Sequence, residues 1–146
     1  MKEMRMHDEN SPDIQKWGHM AKGTFWDYVG CEVVEINDKY VVVSLDILPH
    51  HLNLIGILHG GVHATLIDST MGFIAMLARP EHSVVTVNLN LNYVAPIEKG
   101  KVLVTAEIVH ASRKLITTQA FARREDGELL ALGTGTFRVL DKKATV

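Results

Sequence analysis

The chain has 146 residues, near the commonest size of one domain, and 47% of them are hydrophobic, so one well-filled core is expected. Its 15 basic and 17 acidic side chains leave a formal charge of -2 and form no long like-charged block, which argues against a nucleic-acid arm or an acidic tail. Cys31 is the sole cysteine, so no intrachain disulfide can form, and the polar segment Met1 to Asp13 lacks the apolar run of a signal peptide; a cytoplasmic protein is expected.

Residues 1–10 lack periodicity and read as a flexible tail ahead of a single domain spanning 11–146. Ser11, Pro12 and Asp13 supply an N-cap, a first-turn proline and a first-turn acid for a short helix that runs to about Lys22 and stops at Gly23. Strands follow at Cys31 to Ile36 and Tyr40 to Leu48, joined by the turn-forming Asn37-Asp38-Lys39, and then a loop from Pro49 to Leu58 containing His50 and His51.

Gly61 to Leu77 is helical in pattern. The whole apolar stretch from Val62 to Ala78 falls slightly short of the roughly 20 residues of a membrane span and is interrupted by His63, Thr65, Asp68, Ser69 and Thr70, so it reads as a buried helix with no membrane partner. Residues at helical spacing from Asp68 are Gly61, Ala64, Thr65, Met71, Gly72 and Ala75, a mostly small face. An ionised carboxylate in such a helix is costly unless paired, hydrated or protonated, which leaves two readings open: a solvent-facing or hydroxyl-bonded structural acid, or a base or nucleophile tuned by partial burial.

Val84 to Tyr93 alternates strictly, with Val85, Val87, Leu89, Leu91 and Tyr93 on one face and Thr86, Asn88, Asn90 and Asn92 on the other. Three asparagines on one strand face indicate a wet surface, an interface or a site. After a Pro96 to Gly100 turn, strands are expected at Lys101 to His110, Leu115 to Arg124 and Leu129 to Leu140, the last pair turning at Asp126-Gly127. Sequential strands with short turns pair as meanders, so the expected class is α+β: a mostly antiparallel sheet against one long helix.

Among chemical motifs, His59-Gly60-Gly61 precedes the long helix, where free N–H groups and the positive end of the helix dipole meet. The Gly60 N–H could bind a developing oxyanion, or the glycines could simply permit a tight helix entry. His59 and His63 stand at zinc-ligand spacing but without an HExxH pattern, a nearby cysteine or a third ligand. No GxSxG elbow is present, which counts against a Ser-His-Asp triad, and no GxGxxG or GxxxxGK[ST] sequence, so the usual dinucleotide and phosphate loops are absent; no metal and no cofactor are expected.

The run from Asn53 through Ile55-Gly56 and His59-Gly60-Gly61-Val62-His63-Ala64-Thr65-Leu66-Ile67-Asp68 closely resembles the signature of PaaI-type acyl-CoA thioesterases of the hotdog superfamily. The resemblance continues through Val84 to Tyr93, Ala95-Pro96, Gly100-Lys101, His110 to Lys114 and Gly133 to Phe137, covering nearly all of the chain from about Phe25. It implies a hotdog fold, an antiparallel β-sheet wrapped around a long central α-helix, in a homodimer or dimer of dimers joined through Val84 to Tyr93, with active sites at the subunit interface. It further implies that Asp68 is the nucleophile or general base, that Gly60 N–H polarises the thioester carbonyl, and that Asn53, His59 and Thr86 assist, with Gly61 among the substrate-binding residues. Arg113 and Lys114 are candidates by position for the CoA phosphates, and a solvated turn is the alternative. Met71, Phe73 and Ile74, with the N-terminal helix, would shape the acyl pocket. A non-catalytic acyl-CoA binding module and a hotdog dehydratase are the competing readings, against which the Asp68 and HGG pattern counts.

Overall fold

The structure, a computed structural model, describes residues 12–141. The expected tail at 1–10 and the Ser11 cap lie outside the described residues. In chain order the elements are α1 (Pro12–Ala21), α2 (Phe25–Val29), β1 (Glu32–Ile36), β2 (Tyr40–Asp46), a 3-10 turn at Pro49–His51, α3 (Gly60–Ala78), β3 (Val84–Tyr93), β4 (Lys101–Ala111), β5 (Leu115–Arg124) and β6 (Leu129–Val139). All the strands and both helices read from the sequence are present, with ends moved by one or two residues. Gly23 ends the first helical segment with a φ of 80°, a conformation that costs glycine nothing. The short α2 was not anticipated: five residues, three of them aromatic, are too few to display helical periodicity.

The six strands form one sheet in the order β1-β2-β4-β5-β6-β3, with every neighbouring pair antiparallel. Here the meander expectation is corrected at one strand. β3 does not pair with the following β4 but crosses to the far edge and joins β6, while β4 pairs back onto β2. The sheet curls around α3, which touches β2, β3, β4, β5 and β6.

Leu66, Ile67, Met71 and Ala75 of α3 are fully buried together with Val41, Val43, Val102, Val104, Ile116 and Leu130 from the strands. Each large side chain among them contributes roughly 1.5–3 kcal/mol. That packing accounts for the apolarity of α3, which by length and composition alone would suffice to cross a membrane. It also corrects the expected small face, because Met71 and Ala75 lie under the sheet.

Close approach of helix to sheet depends on Gly133 and Gly135 in β6. A Cβ at Gly133 would fall 2.6 Å from Leu91 Cδ2 and 2.9 Å from the Asn90 carbonyl oxygen, and the second of these is backbone that cannot step aside. Gly133→Val is therefore expected to destabilise the fold by about 3 kcal/mol, at the upper end of overpacking costs, measurable by urea denaturation. A loss below about 0.5 kcal/mol would show that β3 and β6 separate more easily than their register implies.

The strict alternation read along β3 is broken. Its register against β6 shifts between Thr86 and Asn88, so Val87 is the extra residue of a bulge and the side-chain parity reverses there. Thr86, paired with the inward Phe137, thus faces the helix, as do Leu89, Leu91 and Tyr93 after the bulge, opposite Gly135, Gly133 and Ala131. Val85 and Val87 are 43% and 54% exposed on the edge strand.

Candidate active site

The bulge brings a hydroxyl to the helix. Thr86 Oγ1 donates to Asp68 Oδ1 at 2.9 Å, which fixes the carboxylate rotamer, while among the described residues Oδ2 has no hydrogen-bond partner and can engage another group. Asp68 is half-buried midway along α3, and the same two residues line a cavity of about 780 Å³. The cavity walls come from α1, α2, β1 and α3, with Val84 and Thr86 of β3 and Phe137 of β6, and Trp17, Trp26, Phe73 and Met76 are among the lining side chains. Trp17 packs edge-on against Phe73 with ring centroids 4.8 Å apart. Of the side chains expected to shape an acyl pocket, Phe73 does so; Met71 and Ile74 are buried elsewhere, and their places are taken by Gly72, Met76 and the two tryptophans. Sequence reasoning did not single out Trp17 or Trp26. An indole on an amphipathic N-terminal helix was the one available signal.

The second group of predicted residues gathers at the N-terminus of α3. His59 is the N-cap, with φ of -62° and ψ of 136°, and its Nδ1 accepts the Gly61 N–H at 2.7 Å. In the neutral ring the proton therefore sits on Nε2. The loop before it is tied down by Asn53, whose Oδ1 accepts the N–H groups of Ile55 and Ile57 at 3.1 and 3.2 Å, while among the described residues its carboxamide nitrogen has no hydrogen-bond partner. His51 was read as part of a polar loop, yet it is 2% exposed: Leu48 N–H donates to its Nδ1, and its Nε2–H donates to the Val29 carbonyl, binding this loop to α2.

Tyr93 completes the helix entry and was missed as a site residue, since it read only as part of an apolar strand face. Its hydroxyl donates to the Gly60 carbonyl at 2.8 Å. The peptide between Gly60 and Gly61 is thus held from both sides, its oxygen by Tyr93 and its N–H by His59. Gly60 N–H, by contrast, makes no hydrogen bond among the described residues, and it points from the positive end of α3. His63 sits edge-on to the Tyr93 ring at 5.6 Å; it is 3% exposed, its Nδ1 has no hydrogen-bond partner among the described residues, and burial pushes its pKa below the usual imidazole value.

Within one chain these two groups stay apart. Gly60 and Asp68 are eight residues apart on one helix, about 12 Å along its axis at 1.5 Å per residue. The structure does not bring Arg113 and Lys114 to the cavity wall. They are exposed in the β4–β5 turn, which Arg79 at the end of α3 holds by donating to the Ser112 carbonyl at 2.9 Å. Among the described residues, no three His, Cys, Asp or Glu side chains cluster as a metal site would need.

A helix wrapped by an antiparallel sheet, with a hydroxyl-bonded carboxylate at an apolar cavity and a glycine helix entry, defines a hotdog hydrolase fold. The profile of the Thioesterase superfamily matches residues 55–131. A Caenorhabditis elegans protein carrying an esterase name is 31% identical over 131 residues, which span 87% of this chain and 78% of that protein. Human acyl-coenzyme A thioesterase 13 is 29% identical over 98 residues, 66% of this chain and 70% of the human one. Thioesterase HI1161 from Haemophilus influenzae shares the fold, with a TM-score of 0.85 over 94% of this chain and 95% of that one at 20% identity. The chain belongs to the thioesterase superfamily and is a thioester hydrolase.

Proposed function

We propose that this enzyme hydrolyses acyl-coenzyme A to the free acid and coenzyme A in the cytoplasm, as a homodimer or dimer of dimers whose active sites combine residues of two subunits. The observation that carries the reading is the Asp68 carboxylate, held by Thr86 with one oxygen free, at an apolar cavity large enough for an acyl group. Asp68 either takes a proton from water as the water attacks the thioester carbon, or attacks it directly to form an anhydride that water then cleaves. Both routes expel coenzyme A as thiolate and need a donor for the carbonyl oxygen, the role assigned to Gly60 N–H.

That donor and Asp68 must lie within about 3 Å of neighbouring atoms of one thioester, and a 12 Å separation along one helix denies this to a single chain. A two-fold copy docked along β3, whose outer edge is unpaired and carries Val85 and Val87, would set Asp68 of one subunit against Gly60, His59 and Asn53 of the other. Asn53 then has its carboxamide N–H groups to place water or the carboxylate, and Gly61 lies beside the bound thioester. Arg113 and Lys114 are proposed to meet the phosphates of coenzyme A. Thiol release across aryl, short, medium and long acyl-CoAs tests the activity: binding without release from any of them would remove the acyl-CoA hydrolase reading.

Tyr93 enters this scheme as a positioning residue. Tyr93→Phe keeps the ring against His63 but releases the Gly60 carbonyl, so kcat should fall about tenfold while KM stays within about twofold. A loss of thermal stability with kcat intact would instead make the hydroxyl purely structural.

A further inference from the structure

The cavity beside Asp68 has an unusual charge balance. Among the described residues, Asp27, Glu32 and Asp68 are the charged residues in its wall, and no lysine, arginine or histidine lines it. The remainder is apolar or small, with Trp17, Trp26, Phe73, Met76 and Phe137 among the bulky members. Neither Asp27 nor Glu32 has a cationic partner among the described residues; the Asp27 carboxylate only accepts the Gly23 N–H, at 2.9 Å. Lys16, exposed and lying over the Trp17 ring at 6.0 Å, is not part of the wall.

Resting on the acyl-CoA reading above, we infer that Asp27 and Glu32 are specificity-determining residues that restrict this enzyme to acyl groups uncharged at their far end. An aliphatic or aromatic acyl group gains from the tryptophan and phenylalanine walls. A terminal carboxylate in the same place gives up part of its hydration, meets no cation among the described residues and is repelled by the exposed Asp27 and Glu32 carboxylates at the wall. Rejection by charge discriminates more sharply than a missing or extra methylene can, because the wrong substrate is left with an unpaired desolvated charge.

Hexanoyl-CoA and adipoyl-CoA make the decisive pair, having the same carbon count and differing by a terminal carboxylate in place of a methyl group. Trp17 and Trp26 are the chain's two tryptophans and both face the cavity, so intrinsic fluorescence reports its occupancy without turnover, with coenzyme A alone as the control. Hexanoyl-CoA should be hydrolysed and alter the emission; adipoyl-CoA should show a kcat/KM at least about tenfold lower and little emission change at the same concentration. The double variant Asp27→Asn, Glu32→Gln should narrow the ratio several-fold, chiefly through KM. Because both esters carry the same coenzyme A moiety, the effect of the variant on binding of that moiety cancels in the ratio. Equal use of the two esters, or a ratio unmoved in the double variant, overturns the inference. If neither ester is hydrolysed, the acyl-CoA hydrolase reading is decided by the wider panel above, and the fluorescence comparison still decides whether the cavity rejects the carboxylate. No emission change with either ester overturns it as well.

Discussion

Asp68→Asn should lower kcat about a thousandfold while leaving the protein folded and able to bind its substrate. The amide oxygen can still accept the Thr86 hydroxyl that now meets Oδ1 at 2.9 Å, so the side chain keeps its place and the cavity its shape. What disappears is the ability to take a proton or to attack a carbonyl, and losing either costs on the order of 10²–10⁴ in rate. Steady-state thiol release gives the rate, and a thermal melt alongside it confirms the fold. Turnover within about threefold of the unaltered enzyme would strip Asp68 of its role and return it to the structural reading that its sequence context left open.

The other large effect concerns the donor, and it tests the composite site directly. Proline at position 60 removes the N–H, and the site is suited to it: the first turn of a helix tolerates proline, and His59, at φ of -62° and ψ of 136°, already has the extended backbone a residue before proline requires. The added Cβ would meet the Tyr93 ring at 3.3 Å, a side chain 56% exposed and able to give way. Gly60→Pro should therefore reduce kcat by about 10²–10³ with the helix intact. Mixing this variant with Asp68→Asn under conditions of subunit exchange should then restore activity. In a dimer, half of the molecules become mixed and each has one intact site of two, so recovery should approach about one quarter of the unaltered rate. Two inactive variants that stay inactive after demonstrated exchange would place the whole site within one chain.

Local chemistry made much of this legible. Asn37-Asp38 and Asp126-Gly127 turned where such residues turn, Gly127 with a φ of 95°, and the helix around Asp68 began at the glycine pair that precedes its apolar run. The strangeness of an aspartate in an apolar helix was likewise visible before any fold was known. What failed was long-range. The β3 alternation is written in the sequence, but the bulge that turns Thr86 inward arises from register against β6, and the departure of β3 from the meander is a choice among strand partners that turn residues do not encode.

The sequence by itself determined the helix that carries Asp68, the free-donor entry at His59-Gly60-Gly61, the strands and the family, because each rests on local capping, periodicity or a contiguous motif. Only the tertiary structure decided that Thr86 grips Asp68, that Tyr93 and His59 pin the Gly60 peptide, and that Trp17, Trp26, Asp27 and Glu32 line the cavity. These are contacts between residues distant in sequence, set by sheet register and by how closely α3 approaches β6 at its glycines, and nothing in their local neighbourhoods specifies them.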